Sequence, residues 1–442
     1  MKYAAYNEYK TSDIGWILDF PAHWALKRLK YVANRAEIKV EADEDNPLPY
    51  IGLEQVEPWM GRLVNLDDDL VPTGVSNRFE AGDTLFGKLR PYLAKACNVD
   101  FDGLCSSELL VLRGKTYDRK FLLYQLLSHG FINLVDSSTY GSKMPRASWD
   151  FIGVCELPLP SFDEQQTIAR FLDAKTAQID ALVIQKRQLI TKLKEKRSAL
   201  IARTVTSGLP PEATKAAGLE PNLEMKDSGV EWLGAIPGHW DIEKFSREVH
   251  IAEGQVDPEI EPFASMFLIA PNHIESGTGR LLALETAAEQ FAESGKYLCP
   301  ADAVVYSKIR PALRKVVIAP EQCLCSADMY PLTCKNKLLN PYLYWLLLSD
   351  QFSAWSVLEA DRVAMPKINR ETLNELRLPI PPQYEQLKIV EYLQTETAKV
   401  DRMLAKGDAA ISSLTEYRQA LITSAVTGKI DVRNLATPHG AS

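Results

Sequence analysis

The sequence lacks any long apolar run: its longest, such as Tyr342 to Leu348, fall far short of the ~18–20 residues that a membrane span requires. The opening stretch MKYAAYNEYK holds no apolar signal core, so a cytoplasmic protein without membrane partners is expected. A disulfide framework is missing too. The seven cysteines are an odd number scattered from Cys97 to Cys334, as expected for reduced thiols. Gly114-Lys115-Thr116 resembles the end of a phosphate-binding loop, but Leu109 stands where the first glycine belongs, so no nest of amides can form around an anion. Cys323-Leu-Cys325 has no second cysteine or histidine pair at zinc spacing. Neither a metal nor a cofactor is expected. Positive charge is also scarce: 50 basic against 58 acidic residues give −8, which argues against a protein that coats nucleic acid by charge alone.

What is present begins with size. A chain of 442 residues exceeds one ordinary domain, and 46% hydrophobic with 24% charged residues is the composition of a folded globular protein. The charge is uneven. Residues 1–160 carry 18 basic against 22 acidic side chains and 209–382 carry 16 against 24, whereas 161–208 carry 9 against 5 and 383–442 carry 7 against 7.

The dominant feature is an internal repeat. Ser12, Trp16, Pro21, His23 and Trp24 reappear as Ser228, Trp232, Pro237, His239 and Trp240. Lys88-Leu-Arg90-Pro91-Tyr-Leu93-Ala-Lys95 is answered by Lys308-Ile-Arg310-Pro311-Ala-Leu313-Arg314-Lys315, and Cys105-Ser-Ser-Glu108 by Cys325-Ser-Ala-Asp328. Leu157-Pro-Leu-Pro160, Glu164-Gln165, Ile168, Leu172, Thr176 and Asp180 return as Leu378-Pro-Ile-Pro381, Glu385-Gln386, Ile389, Leu393, Thr397 and Asp401. The order is kept while the offset drifts only between 216 and 221, as small loop insertions in a duplicated unit would produce.

Each half ends in a long helical pattern. Ser161 and Glu164 have capping-box spacing, which starts a helix near Phe162 that meets neither Pro nor Gly up to Ser207. Alternate steps of four and three from Ile168 trace Leu172, Lys175, Ile179, Leu182, Lys186, Leu189, Leu193, Lys196 and Leu200. The same walk from Ile389 traces Leu393, Glu396, Val400, Met403, Gly407, Ala410, Leu414, Tyr417 and Leu421. Lysines in one seam and Glu396 in the other suit two helices paired with each other, and a helix of ~44 residues, ~66 Å long, outreaches a single domain core.

The globular parts read as α/β or α+β. Leu109–Leu112 and Val304–Tyr306 have strand character, while FLLYQLLSHGFINLV and YLYWLLLSDQFSAW read as buried helices. Expected boundaries are globular domains at 1–160 and 228–382, long helices at 161–208 and 383–428, a linker at 209–227 and a tail at 429–442. Asp83 with Glu108, matched by Asp302 with Asp328, could serve a nuclease as metal-binding carboxylates, but no lysine follows Glu108 at two residues' spacing. No Asn-Pro-Pro-aromatic run holds a target amino group. His23 and His239, each in Pro-x-His-Trp, are expected to buttress a turn against tryptophan. A non-catalytic chain is expected, with a pseudodimeric DNA-acting enzyme and a non-DNA assembly scaffold as the alternatives.

On these residues the chain resembles the specificity subunits of type I restriction-modification enzymes. The resemblance rests on Ser228-Gly-Val-Glu-Trp-Leu-Gly-Ala-Ile-Pro-Gly-His-Trp240, on Lys88 to Leu93 with Cys105 to Glu108, and on Leu157 to Pro160 with Glu164-Gln165, all in register in both halves. The first copy departs from the fuller motif, reading Asp13-Ile-Gly-Trp-Ile-Leu-Asp-Phe20. The resemblance covers nearly the whole length and implies two tandem target-recognition domains, each reading half of a bipartite, asymmetric double-stranded DNA site. It further implies an antiparallel coiled coil that spaces them and binds two methyltransferase subunits, through which restriction and translocase subunits join.

The recurring basic cluster supplies the candidate DNA contacts: Lys88, Arg90 and Lys95 in the first copy, Lys308, Arg310, Arg314 and Lys315 in the second. Lys143 and Arg146 in GSKMPR, echoed by Lys367, form a second group. For partner binding, Ile168, Phe171, Val183, Ile184 and Ile190 are expected on the outer face of the first long helix, as apolar surface beyond what a two-helix seam consumes.

Overall fold

The computed structural model describes residues 3–41, 48–65, 74–114, 117–220, 224–360 and 366–435. Lys115 and Thr116, residues 221–223 of the expected linker and 436–442 of the expected tail lie outside the described residues. The chain divides into two compact units, residues 1–187 with 409–442 and residues 188–408. The division falls inside both long helices, Phe162–Ser207 and Gln383–Val426, so each unit owns the beginning of one and the end of the other.

The globular parts repeat the same topology. In the first unit one four-stranded sheet runs Ala33–Ala36, Leu109–Gly114, Thr84–Gly87, Ala96–Asn98, all antiparallel. A second runs Lys39–Glu41, Val75–Phe79, Gly103–Cys105, Tyr50–Ile51, its last pair parallel. The second unit has the same orders: Val249–Ile251, Met329–Cys334, Val304–Ser307, Val316–Ile318, and Gln255–Val256, Lys296–Cys299, Cys323–Cys325, Leu268–Ile269. The helical runs are each two helices, Arg119–Leu126 with His129–Ser137 and Asn340–Leu348 with Asp350–Glu359. Serine makes the break. Ser349 Oγ donates to the Leu346 carbonyl and accepts from the Phe352 amide at 3.3 Å, ending one helix and capping the next. Of the expected linker, Pro211–Ala216 is helical, and Leu209 with Leu219 packs into the core of the second unit.

The long helices are seated by their first turns. The first begins at Phe162, and the Glu164 amide donates to Ser161 Oγ at 3.4 Å, but the Glu164 carboxylate does not complete a capping box. It accepts from Tyr6 Oη at 2.8 Å and contacts His23 Nε2 at 3.0 Å. Burial, reinforced by Glu164, pushes the Tyr6 phenol well up from its ordinary range. In the second unit Glu385 likewise takes His239 Nε2 at 2.8 Å and Trp240 Nε1 at 3.1 Å. The neighbouring glutamines hold the loops: Gln165 accepts from the Asp118 amide and Gln386 from the Leu339 amide. The Glu-Gln pair therefore fixes each globular part to the start of the helix that follows it.

Within each unit the helix ends run antiparallel. In the second unit Ile190 lies against Gly407 and Arg197 against Asp401, so one number falls as the other rises. A Cβ at Gly407 would sit 3.0 Å from Ile190 Cγ1, so glycine here lets the two helices approach closely without displacing that side chain. The buried stripe departs from the heptad walk. Thr176 and Thr397 are buried one step of four after Leu172 and Leu393, and their hydroxyls donate to those residues' carbonyls at 2.8 and 2.6 Å. From there every second position lies one residue further on, at Val183, Ile190 and Arg197 in one helix and Leu404 and Arg418 in the other, so Leu182, Leu189, Met403 and Tyr417 face outward, while Ile179, Leu193, Val400 and Leu414 keep their places in the walk.

The expected outer face is corrected too, because the globular core covers the start of the first long helix. Ile168 and Phe171 are fully or nearly fully buried in the core of the first unit, Phe171 edge-on to Tyr3, and Val183 packs against that core. Ile190 is buried against Gly407, which leaves Ile184 as the exposed member of the group. Replacing Glu385 by Ala strands His239 and the fully buried Trp240 indole, and should cost about 1–3 kcal/mol. Thermal melting reads this as a midpoint lower by about 2–4 °C per kcal/mol.

Candidate nucleic-acid interface

Each unit carries one exposed arginine on a turn that its backbone over-determines. In the first unit the Lys88 amide donates to the Glu108 carbonyl at 3.0 Å, Leu89 bridges to Arg146, and the Arg90 amide donates to the Pro145 carbonyl at 2.7 Å. Arg90 is left-handed at φ 50°, the 3-10 turn Pro91–Leu93 follows, and Ala94 is left-handed at φ 45°. The second unit repeats every step: Lys308 to Asp328, Ile309 bridged to Lys367, Arg310 to Pro366 at 2.7 Å, and φ of 46° and 47° at Arg310 and Arg314. Such non-glycine residues cost of order 1–3 kcal/mol each and persist only where surroundings impose them. Arg90 and Arg310 are exposed, and neither has an ion-pair partner among the described residues. A phosphate would find each guanidinium uncommitted.

The other expected cations divide sharply. Lys95 Nζ donates to the Leu53 carbonyl and Lys315 Nζ to the Pro271 carbonyl, both at 2.5 Å, so these lysines hold loops. Burial also pulls the Lys95 ammonium below its ordinary range. Arg146 forks onto Glu108 at 3.0 and 3.1 Å, and Arg314 pairs with Asp350 and Ser198. Lys308 rests over the Tyr330 ring at 5.4 Å. Lys88 is half-buried, while Lys143 and Lys367 are exposed. Lys143 sits in the loop closed by Tyr140 and Arg146, beside exposed Met144 and Tyr140, and that loop lies along the Lys88–Arg90 backbone.

Of the carboxylates considered for a nuclease, the two in the first unit are each occupied separately. Asp83 is buried, accepts Arg113 Nε and Nη2 at 2.8 Å each, and also accepts the Glu80 amide; Glu108 belongs to Arg146. Asp302 and Asp328 are exposed. Cys299 and Cys323 face each other across paired strands in a buried cluster with Cys325. In the first unit burial pushes the Cys97 and Cys105 thiols up to about 12.

Two residues with no signal in the heptad walk prove central. Arg418 is buried in the seam of the first unit: Nε and Nη2 reach Asp180 at 2.9 and 3.4 Å, while Nη1 and Nη2 donate to the Trp59 and Met60 carbonyls at 2.9 and 3.3 Å. Arg197 does the same in the second unit, to Asp401 and to the carbonyls of Gly277 and Thr278, both at 3.2 Å. The repeat could have exposed them, since Asp180 and Asp401, like Arg197 and Arg418, are 221 positions apart.

Residues 24–192 and 268–404 match the family described as Type I restriction modification DNA specificity domain. The chain belongs to the type I restriction-modification DNA specificity family. It is 31% identical over 314 residues to the Type I restriction enzyme EcoDI specificity subunit of Escherichia coli, covering 70% of this chain and 69% of that one. It is 21% identical to the MjaVIII specificity subunit of Methanocaldococcus jannaschii, covering 95% of each. The fold is shared, at TM-score 0.66 and 18% identity over 93% of this chain and 99% of the other, with a chain from a structure described as the basis of complex assembly and conformational transition of the type I R-M system. Both segments matching the specificity family contain a basic turn, 88–95 in one and 308–315 in the other, whereas Arg197 and Arg418 lie just beyond them. Among the described residues no helix is long and apolar enough to cross a membrane.

Asp83→Asn strips Arg113 of a buried charged partner and should cost about 1–3 kcal/mol of stability, read as a lower thermal midpoint. Magnesium should leave the wild-type midpoint unmoved; a rise on adding it would return Asp83 to metal binding.

Proposed function

We propose that this chain reads a bipartite, asymmetric double-stranded DNA site, one half with each repeat, as the non-catalytic specificity subunit of a cytoplasmic methyltransferase and endonuclease assembly. Residues 1–160 and 228–382 act as recognition domains, and residues 161–208 and 383–428 as the spacers. The observation that carries this reading is the uncommitted arginine at a strained, backbone-fixed turn, Arg90 in one repeat and Arg310 in the other. Phosphate contacts of this kind set register and orientation, leaving base choice to neighbouring side chains. The acidic total is tolerable because each recognition surface needs few cations when partner subunits contribute the rest of the grip. Lys88, Lys143 and Lys367 are the supporting contacts, whereas Lys95, Arg146, Arg314 and Lys315 shape the surface from behind.

Comparing the host's methylated sites with and without the gene tests the reading directly: a two-part motif should vanish with the chain. Within the assembled complex, Arg90→Ala and Arg310→Ala should each weaken DNA binding and reduce the slope of log affinity against log salt by about one. Lys95→Ala should lower stability and leave that slope alone.

Two methyltransferase subunits are proposed to dock on the outward faces of the long helices, with restriction and translocase subunits joining through them. In the first unit Leu182 and Ile184, both nearly half exposed, flank the seam residue Val183 on either side and offer apolar surface in place of the buried Ile168 and Phe171. Leu182→Glu with Ile184→Glu should abolish co-purification with the methyltransferase and leave circular dichroism unchanged. Retained co-purification would place the docking face elsewhere.

A further inference from the structure

In each unit a buried helix arginine is joined to the exposed arginine turn by a short run of hydrogen bonds, and the run is built twice. In the first unit Arg418 Nη1 donates to the Trp59 carbonyl at 2.9 Å, the Trp59 amide to the Ala94 carbonyl at 3.1 Å, and the Ala94 amide to the Pro91 carbonyl at 2.8 Å, next to Arg90. In the second, Arg197 Nη1 donates to Gly277 at 3.2 Å, the Gly277 amide to Arg314 at 3.3 Å, and the Arg314 amide to Pro311 at 2.9 Å, next to Arg310. The connecting loop is closed on itself in both copies. The Glu57 amide donates to the Arg62 carbonyl at 3.0 Å and its carboxylate holds the Arg62 guanidinium; Glu275 and Arg280 repeat both contacts. The helix arginine is the one side chain in this run; in the second unit Arg314 also donates to Ser198 Oγ on the long helix at 3.1 Å.

We propose that Arg197 and Arg418 are positioning residues for DNA recognition. Each fixes the place of its own unit's exposed arginine turn on the helix pair, and together they set the number of base pairs tolerated between the half-sites. The proposal rests on the DNA-reading function above. Neither residue contacts DNA, since their side chains are only 8% and 6% exposed. Arginine is required because its rigid fork meets a carboxylate and two carbonyls at once, where lysine offers a point charge on a flexible stem. The length scale fits, since a displacement of ~3.4 Å at the turn amounts to one base pair.

The test uses the complete methyltransferase complex on duplexes with fixed half-sites and a varied spacer. For Arg418→Lys and Arg197→Lys, the half-site preference should persist while the ratio of methylation at the native spacer to that at spacers one base pair shorter or longer falls on the order of tenfold. An arginine that served stability alone would lower methylation equally at every spacer, and an unchanged ratio overturns the proposal. Should either lysine variant fail to accumulate, Asp180→Asn and Asp401→Asn carry the same measurement, because they loosen the arginine from the helix side and spare its carbonyl contacts. Failure of the function itself shows separately, as wild-type methylation indifferent to the half-sites, and the positioning role falls with it.

Discussion

A guanidinium buried in a helix seam is the constraint on which this structure turns. Arg418 and Arg197 occupy positions where a coiled coil would ordinarily place an apolar side chain, and each is tolerated because a carboxylate and two carbonyls satisfy it. Removing one member of a pair as buried as Arg418 and Asp180 typically costs about 3–5 kcal/mol. The carbonyls come from a loop and not from the partner helix, so packing the helices and docking the domain become one event. Two further contacts of the same logic, Glu164 on His23 and Glu385 on His239, seat the opposite end of each globular part.

The two copies solve the corner beside this arginine differently. In the first unit Trp59, left-handed at φ 65°, stacks on His129 with ring centroids 6.1 Å apart, and Ala94 leaves it room. In the second, Gly277 takes the left-handed position at φ 71°, and Arg314, in the place of Ala94, pairs with Asp350, in the place of His129. An aromatic stack has become an ion pair while the carbonyls offered to the seam arginine stay where they were. At this corner the divergence between the copies is confined to side chains, and the backbone frame that carries them is preserved. That is the arrangement a pair of readers for two different half-sites requires.

Commitment of charge also explains how an acidic protein presents a basic feature. Four of the ten candidate cations, Lys95, Arg146, Arg314 and Lys315, are engaged by carboxylates or carbonyls of their own unit, which fixes the backbone behind the exposed guanidinium of each turn. A surface of this kind has little non-specific attraction for DNA, because affinity for the backbone grows with the number of phosphates neutralised.

Duplication, the two long helices, their starting points and the family resemblance were all legible in the amino-acid order, because repeated motifs and uninterrupted helical stretches are local properties of the chain. The strands at Leu109 and Val304 were legible for the same reason. The seam was not. Its phase depends on Thr176 and Thr397 hiding hydroxyls against their own helices, a choice that polarity alone argues against, and the slip moved Leu182 and Leu189 outward and Arg197 inward. Nor could composition separate Arg90 from Lys95, which stand five residues apart in one basic motif: the carbonyl that engages Lys95 belongs to Leu53, 42 residues away. Which cations are free and which are buried is decided by partners distant in sequence, and only the tertiary structure brings those partners into reach.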